Sequence, residues 1–217
     1  MPLESLPDGR TRVRAPLSDD DVRRLHAGDT VLLSGPVIAA RDAAHRRLVE
    51  LLERGERLPF DPVGAILYYV GPTPERPGNV IGAAGPTTAS RMDRYTPGLL
   101  VAGVKAMVGK GGRGDDVRSL LRRHTAVYLA ALGGGGALAA RSITAQRVLA
   151  FEDLGTEAIR ELRLDDFPAW VVNDCHGRDF YAENIRPWRR SALLPDALRI
   201  DDATDVAIHE RGTLGGG

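Results

Sequence analysis

Lysine is scarce in this chain, and the two lysines it keeps are the first candidates for chemistry. Of the 29 basic residues only Lys105 and Lys110 are lysines, five residues apart. Since arginine serves for a generic positive charge here, a retained amine indicates a need for a group that can lose its proton or act as a compact point charge. Chance survival of two lysines is the alternative. Lys110 follows an apolar run and lies among glycines, which favours a site where a substrate approaches the backbone. Lys105 alternates with buried positions, and we expect it to be structural.

Hydroxyl groups and an arginine in the segment 82–93 form a second candidate site. Small residues there let a ligand approach the backbone, and Thr87 and Thr88 are followed by Arg91 at an expected helix start. Such an arrangement suits a carboxylate or a phosphate. The segment lacks the Gly-Lys-Ser/Thr end of a Walker loop and the spacing of a dinucleotide fingerprint. A plain turn is the alternative interpretation.

Arg41 belongs to a third segment, Ala-Arg-Asp-Ala-Ala-His at 40–45, where a predicted strand meets a predicted helix. Asp42 is expected to cap that helix. His45 comes four residues after Arg41, so the two side chains share a face if the helix has begun by then. The other interpretation is an ordinary helix start with a solvated arginine and a packing histidine.

Cys175 and His176 lie in the fourth segment, Asn-Asp-Cys-His-Gly-Arg-Asp at 173–179. These residue types suggest a nucleophile with its base, or metal ligands. Neighbours in sequence rarely point the right way for such a pair, and members of a catalytic triad are normally far apart in the chain. We therefore favour a structural turn after a strand.

The elements that must position these residues alternate between strands and helices. Helices are predicted over residues 18–26, 42–54, 97–102 and 115–123, with a small helix after the glycine run 133–136. Strands are predicted over residues 30–40, 63–70, 80–84, 104–108, 126–132, 146–151 and 169–174. Ser18 is the expected N-cap of the first helix, and Gly35 with Pro36 interrupts the first strand. The pattern predicts an α/β layered domain, and the early β-rich part is open to forming a second sheet.

Composition excludes several classes of protein. Acidic and basic residues number 29 each, so no net field draws the chain to nucleic acid or to a membrane. The apolar runs are shorter than the roughly 20 residues of a membrane span. The N-terminal stretch carries charges but no apolar core, so we expect no signal peptide. A single cysteine cannot form an intramolecular disulfide, and a cytoplasmic location is the default expectation.

Taken in order, five segments resemble the C-terminal domain of class I fumarases and the separate β subunit of two-chain fumarases and L-tartrate dehydratases. They are Ala-Arg-Asp-x-x-His at 40–45, Tyr-Val-Gly-Pro at 69–72, Gly-Pro-Thr-Thr-x-x-Arg-Met-Asp at 85–93, Lys-Ala-Met-Val-Gly-Lys-Gly at 105–111 and the turn at 174–181. The resemblance implies an α/β fold of a particular kind, a three-layer swivelling β/β/α domain over residues 17–190. A loosely ordered arm (1–16) is expected before it and a tail (191–217), disordered at its end, after it.

The same resemblance implies a hydro-lyase that adds water reversibly to a C4 dicarboxylate, with fumarate to malate favoured over tartrate or mesaconate. The domain would close over a [4Fe-4S] cluster. Three cysteine ligands are usual in the family, whereas this chain has one cysteine. No metal ligand is therefore expected here, and the cluster is expected on a partner, the α subunit.

The resemblance also assigns roles to residues at matching positions. Arg41 and Arg91 match arginines that clamp the substrate carboxylates, with Thr88 beside them. Thr87 matches a threonine proposed as the base, and Lys110 matches a lysine able to stabilise its alkoxide. His45 and Asp42 would support these groups from behind.

Two other functions stay open at this point. One is a non-catalytic dicarboxylate-binding or regulatory module of the same fold. The other is an unrelated enzyme without a cluster that uses Lys110 and His45 in acid–base work. Homodimer formation through an exposed cleft face is open as well.

Overall fold

Residues 2–185 of the 217-residue chain are described by a computed structural model. The strands are β1 (Leu3–Ser5), β2 (Thr11–Arg14), β3 (Thr30–Ala39), β4 (Ile66–Tyr68), β5 (Ala106–Gly109), β6 (Val127–Ala130), β7 (Ile143–Ala150) and β8 (Ile159–Asn173). The helices are α1 (Asp19–Arg23), α2 (Asp42–Glu53), α3 (Thr96–Ala102), α4 (Asp115–Arg123), α5 (Gly136–Arg141) and α6 (Phe180–Ile185). Two 3-10 helices cover Ala89–Tyr95 and Glu152–Glu157. The chain is thus a mixed α/β protein.

The described strands belong to one sheet in the order β1-β2-β3-β4-β5-β6-β8-β7, with β3 also paired to β8. The strands from β2 to β6 run parallel, while β8 lies antiparallel to both β3 and β6. Because β8 pairs with β3 as well as with β6, the strands β3, β4, β5, β6 and β8 form a closed circuit of pairings. The early strands β1 and β2 are hydrogen-bonded into this same sheet through β3, so they do not form the separate second sheet that the sequence left open.

Alternating strand residues supply two hydrophobic cores. Ile66 and Tyr68 face one core, which consists of strand residues together with α1 and the segments that join them. Leu67, between them, faces the other core, where the helices α2, α3 and α4 cover the opposite side of the strands. Burial on both faces accounts for the uniformly buried β4, β5 and β6.

Several local predictions are confirmed. Helix α4 has the predicted bounds, and α2 begins at Asp42 as expected. Ser18 caps α1 in a capping box, accepting from the Asp21 N–H at 3.2 Å while its own N–H donates to the Asp21 carboxylate at 2.9 Å. The break in β3 is real as well: its register against β8 shifts between Leu33 and Gly35.

Three predictions about elements are wrong. Residues 1–16 are not a loose arm, because β1 and β2 join the sheet through pairing with β3. Residues 80–84 form no strand, since the backbone of Ala83 exchanges hydrogen bonds with Thr73 and the Ala84 N–H donates to the Gly136 carbonyl. Finally, β8 begins ten residues before the predicted start, at Ile159, because charged residues mask its apolar alternation.

Residues up to Tyr181 form one compact unit, and a second unit begins at Ala182, of which the structure describes residues 182–185. The predicted boundary at 190 and the tail 191–217 lie outside the described residues. Between residues 2 and 185, no helix combines the length and apolar character needed to cross a bilayer. The cytoplasmic location stays a prediction.

Candidate functional site

Three neighbouring parallel strands end at the same edge of the sheet, and the candidate residues follow them. Arg41 comes two residues after β3, the Tyr69 to Pro72 motif follows β4, and Lys110 follows β5 directly. The carboxyl ends of parallel strands meet at one edge, which is where α/β folds place ligands. The sheet topology therefore gathers segments that are far apart in sequence.

Thr87, Thr88 and Lys110 lie side by side through their backbones. The Lys110 N–H donates to the Thr87 carbonyl at 3.0 Å, and the Ala89 N–H donates to the Lys110 carbonyl at 2.8 Å, so Thr88 and Lys110 form a parallel bridge. A glycine at position 109 permits this approach, because a β-carbon there would lie 3.2 Å from the Thr87 carbonyl oxygen. The two threonines are half-buried and the lysine is exposed.

The two lysines differ in what their amines contact. Lys105 Nζ donates to the His124 carbonyl at 2.7 Å, at the end of α4, and lies 2.6 Å from the Asp19 carboxylate. This is the structural role expected for it. Within residues 2–185, Lys110 Nζ makes no hydrogen bond or ion pair, and the side chain runs past Gly133, whose missing β-carbon would lie 3.5 Å from Lys110 Cδ. An amine without a structural partner is the one available to a ligand.

Arg41 is held by an acidic residue that the sequence did not point to. Its Nη2 donates to Glu157 Oε1 at 2.9 Å, and the other oxygen of Glu157 accepts from the Ala43 N–H at 2.8 Å. The carboxylate thus satisfies the first turn of α2, where it also meets the positive end of the helix dipole. Arg41 Nε is buried and has no partner among the described residues. Glu157 is 116 residues away from Arg41, and no local motif could have identified it.

Asp42 and Arg91 form a second ion pair beside the first. Arg91 Nε donates to Asp42 Oδ1 at 2.9 Å, and Arg91 Nη2 lies 2.8 Å from Asp42 Oδ2. The prediction that Asp42 caps α2 is wrong: Arg41 occupies the cap position, and Asp42 is the first helical residue, with its side chain turned to Arg91. Arg91 is exposed, so this pair alone contributes little stability. Both arginines that were expected to bind the substrate carboxylates are therefore already paired with a carboxylate of this chain, Arg41 with Glu157 and Arg91 with Asp42.

His45 is a buried neutral residue behind Arg41. Its side chain is excluded from solvent, packs edge-on against Tyr69, and has Nδ1 3.0 Å from the Arg41 carbonyl. Since a carbonyl only accepts, the Nδ1–H donates and fixes the backbone of Arg41. Burial, together with the positive charge of Arg113, lowers the pKa of His45 to about 4. A histidine so placed supports the site but cannot exchange protons with a substrate, which removes the base from the cluster-free alternative.

Arg113 is the largest feature of the site that sequence reasoning missed. Its side chain is fully buried and donates to Asp93 Oδ1 at 2.7 Å, to the Tyr69 hydroxyl at 3.0 Å and to Thr96 Oγ1 at 2.6 Å. The guanidinium also lies against the rings of Tyr69 and Tyr128. The available signal was an arginine inside the glycine-rich run that follows Lys110.

The turn at 173–179 is structural, as expected. Asp174 is buried and accepts from the N–H groups of Ala27, His176 and Arg178 at 2.9 to 3.0 Å. Burial and the charge of Asp174 raise the pKa of the Cys175 thiol, which opposes formation of a nucleophilic thiolate. The His176 ring donates to the Arg23 carbonyl at 3.0 Å. Over the described range 2–185, no group of three or more His, Cys, Asp or Glu side chains is arranged to hold a metal ion.

Fold and site together define a class, and comparison with known proteins identifies it. The chain belongs to the family described as Fumarase C-terminus, whose model matches residues 7–184. It is 37% identical to the putative L(+)-tartrate dehydratase subunit beta of Methanocaldococcus jannaschii over 173 residues. This stretch is 77% of this chain and 89% of the relative.

Two fumarate hydratases are similar to it over a smaller part of their length. Fumarate hydratase 2 of Leishmania major is 38% identical over 160 residues, which is 73% of this chain and 28% of the relative. The anaerobic class I fumarate hydratase of Escherichia coli is 39% identical over 155 residues, which is 70% of this chain and 28% of the relative. The chain thus spans under a third of these hydratases and most of the tartrate dehydratase subunit.

Proposed function

We propose that this chain is the β subunit of a two-chain hydro-lyase that hydrates and dehydrates a C4 dicarboxylate, with fumarate and malate as the favoured pair. The observation that supports this most is the backbone pairing of Thr87 with Lys110 next to the arginine-bearing start of α2. The names of the relatives, fumarate hydratase and tartrate dehydratase subunit beta, agree with the reaction class and with a divided enzyme.

In this proposal, Arg41 and Arg91 bind the two carboxylates of the substrate, a task suited to the planar guanidinium fork. Thr87 takes the proton from C3 of the hydroxy acid during dehydration. A threonine hydroxyl is too weak a base unaided, so Thr87 acts as its alkoxide, which the ammonium of Lys110 stabilises. The C3 proton converts the alkoxide to the hydroxyl, and loss of that proton to solvent restores the alkoxide for the next turnover. Thr88 adds a hydroxyl beside the arginines that bind the substrate carboxylates. The acid that serves the leaving hydroxyl belongs to the partner chain.

The charges near the site support the need for a partner. Of the three cations, Arg41 pairs with Glu157 and Arg91 pairs with Asp42, while Lys110 Nζ has no acidic partner within residues 2–185. The excess of one positive charge is less than the two negative charges of a C4 dicarboxylate. A second chain that adds positive charge would complete the balance, since desolvated charges need partners of opposite sign.

The residues of this chain do not fit a [4Fe-4S] cluster. The sole cysteine, Cys175, lies in the Asp174 turn with a raised thiol pKa, and cluster iron is normally held by several thiolates. We therefore assign the cluster that the family resemblance implies to a cluster-bearing α subunit and derive no step through it here.

The three-layer swivelling β/β/α architecture is part of the same proposal. Two hydrophobic cores on opposite faces of the strands, one covered by α2, α3 and α4, are what a layered β/β/α arrangement requires. A domain that swivels would bring the exposed Lys110 and Arg91 towards the partner. Association of two copies of this chain stays a prediction.

Anaerobic co-expression with the cluster-bearing chain, followed by a fumarate–malate absorbance assay, tests the function. Activity should need both chains and should fall by about 100-fold or more in Thr87→Ala and in Lys110→Ala. Thr144→Ala, which removes an exposed threonine on β7, is the matched control and should stay active. If neither site variant changes the rate, the assignment of Thr87 and Lys110 is wrong.

The binding-module alternative makes a different prediction for the same complex. It expects dicarboxylate binding that Arg91→Ala weakens, with no turnover in the wild type under any condition. Titration calorimetry with malate, run next to the rate assay, separates the two functions. Turnover of tartrate or mesaconate in place of fumarate would keep the hydro-lyase and change the substrate.

A further inference from the structure

We propose that Arg113 and Asp93 are positioning residues that set Lys110 in register with Arg91, an inference that rests on the proposed function. Asp93 lies two residues after Arg91, on the 3-10 helix Ala89–Tyr95. Arg113 lies three residues after Lys110, in the loop between β5 and α4. The ion pair between them at 2.7 Å joins the segment that carries one proposed substrate ligand to the segment that carries the proposed catalytic amine.

The loop after Lys110 is fixed at several points, all outside the Lys110 side chain. The Gly111 carbonyl accepts from the Tyr128 hydroxyl at 2.8 Å, and the Gly114 N–H donates to Asp93 Oδ2 at 2.9 Å. Asp93 therefore holds Arg113 with one oxygen and the backbone of the next residue with the other. Loops of this length rich in glycine are otherwise mobile, because glycine has the largest conformational freedom. The anchors leave the amine of Lys110 free while its backbone is held.

Burial of the Arg113 guanidinium removes a charge from water, which costs desolvation free energy. The Arg113 side chain has no solvent exposure, and its carboxylate partner Asp93 is itself partly exposed. Replacing buried ion pairs with apolar residues is often neutral or stabilising, so stability alone explains such a pair poorly. Geometry does: the fork-shaped guanidinium reaches Asp93, Tyr69 and Thr96 at once, which a lysine cannot do.

The kinetic test uses Asp93→Asn and Arg113→Lys in the complex with the cluster-bearing chain. Both variants keep the approximate size of the side chain and lose the ion-pair geometry. We expect kcat to fall roughly 100-fold, as for an ångström-scale misplacement of a catalytic group, with a smaller change in KM. The same substitutions made in Lys110→Ala should cost nothing further, because their effect acts through Lys110.

Arg12→Lys is the matched control. Arg12 forms a two-point ion pair with Asp166, at 2.7 and 2.8 Å, and pairs in register with Leu32 near the start of β3, at the opposite end of that strand from Arg41. It should lower the melting temperature without a selective loss of kcat. If Asp93→Asn and Arg113→Lys behave like Arg12→Lys, or lower the rate equally with and without Lys110, their role is only structural and the inference fails.

A second readout does not depend on turnover. The chain has only two lysines, so acetic anhydride labelling followed by peptide mass spectrometry reports on Lys110 with Lys105 as an internal reference. Malate bound to the complex should protect Lys110 in the wild type, and Asp93→Asn should lose that protection while it stays folded. Protection retained in Asp93→Asn would overturn the inference. Absence of protection in the wild type, with Lys110→Ala fully active, would overturn the proposed function as well.

Discussion

Two turns of this molecule look alike in sequence and differ in what they leave free. The loop 110–114 follows β5 and the turn 173–179 ends β8; both contain glycine, an acidic or basic anchor and a residue able to do chemistry. In the first, the side chain of Arg113 anchors the loop by donating to Asp93, and the Lys110 amine has no partner within residues 2–185. In the second, Asp174 organises the turn while His176 bonds to the Arg23 carbonyl. Residue type alone therefore does not distinguish the two turns; a side chain left without a partner on a fixed backbone does.

The largest test of this comparison is a pair of substitutions in the assembled complex. Lys110→Ala should lower kcat/KM by about 100-fold or more, because one electrostatic stabiliser of a developing anion is typically worth that much. Cys175→Ser should change it less than about twofold, since serine keeps the size and the turn does not depend on the thiol. Steady-state rates with malate measure both. Equal losses in the two variants would contradict the distinction between the turns.

The free energy of unfolding at acid pH should depend on His45, the buried histidine behind Arg41. The pKa of His45 is about 4 in the folded protein, below the value near 6.5 of an unfolded histidine. Between these two pH values the unfolded state binds more protons, so the free energy of unfolding decreases as the pH falls from about 6.5 to about 4. The loss amounts to about 3 kcal/mol.

Urea denaturation at several pH values measures that loss. His45→Asn keeps a donor near the Nδ1 position and should flatten the pH dependence in this range. His26→Asn, at an exposed histidine that stacks on His176, should leave it in place. A steep dependence that persists in His45→Asn would assign the acid sensitivity to other groups.

Removal of the anchor of the second turn should cost stability rather than activity. Asp174→Ala leaves the N–H groups of Ala27, His176 and Arg178 without their acceptor. Ala27 is buried, so the loss of its hydrogen bond has the largest effect. We expect the free energy of unfolding to fall by about 2 kcal/mol because these donors are left unpaired. Chemical denaturation of the isolated chain measures it, with Asp174→Asn as the milder control. A free energy of unfolding unchanged in Asp174→Ala would show that the turn does not need its anchor.

The smallest expected effects concern one glycine from each turn. Gly111 and Gly177 both have positive φ, at 77° and 96°, so alanine is strained at either position by about 1 kcal/mol. A β-carbon at Gly111 meets nothing within 4 Å, whereas one at Gly177 would lie 2.8 Å from Arg122 Cδ. Gly177→Ala should therefore lower the melting temperature more than Gly111→Ala. The reverse order would mean that the loop after Lys110 is the more tightly packed of the two.

What is local in the chain was predictable. Ser18 before three aspartates predicts the N-cap of α1, glycine and proline at 35 and 36 predict the break in β3, and the predicted helix at 115–123 has the bounds of α4. The family resemblance led to Arg41, Thr87, Arg91 and Lys110 without showing how they meet. Their roles stay predictions, whereas their gathering at one edge of the sheet is a property of the structure.

What depends on distant partners was not predictable. Glu157 pairs with Arg41 across 116 residues and Arg113 with Tyr69 across 44, and neither contact has a periodic signal. Apolar residues at 80 and 81 read as a strand, yet Ala83 and Ala84 bond to Thr73 and Gly136 instead. In each case tertiary hydrogen bonds override the local preference of the chain.

The closed circuit of strands has a consequence for how the protein reaches its native state. Closure needs β8, and β8 pairs with β3 across about 130 residues of chain, at Thr30 with Trp170 and at Ala39 with Arg160. Contacts so distant carry a large loop-closure entropy and slow folding. During synthesis, the segments that carry Arg41, Thr87 and Lys110 leave the ribosome before residues 159–173, so the circuit can close only after all of these segments have emerged.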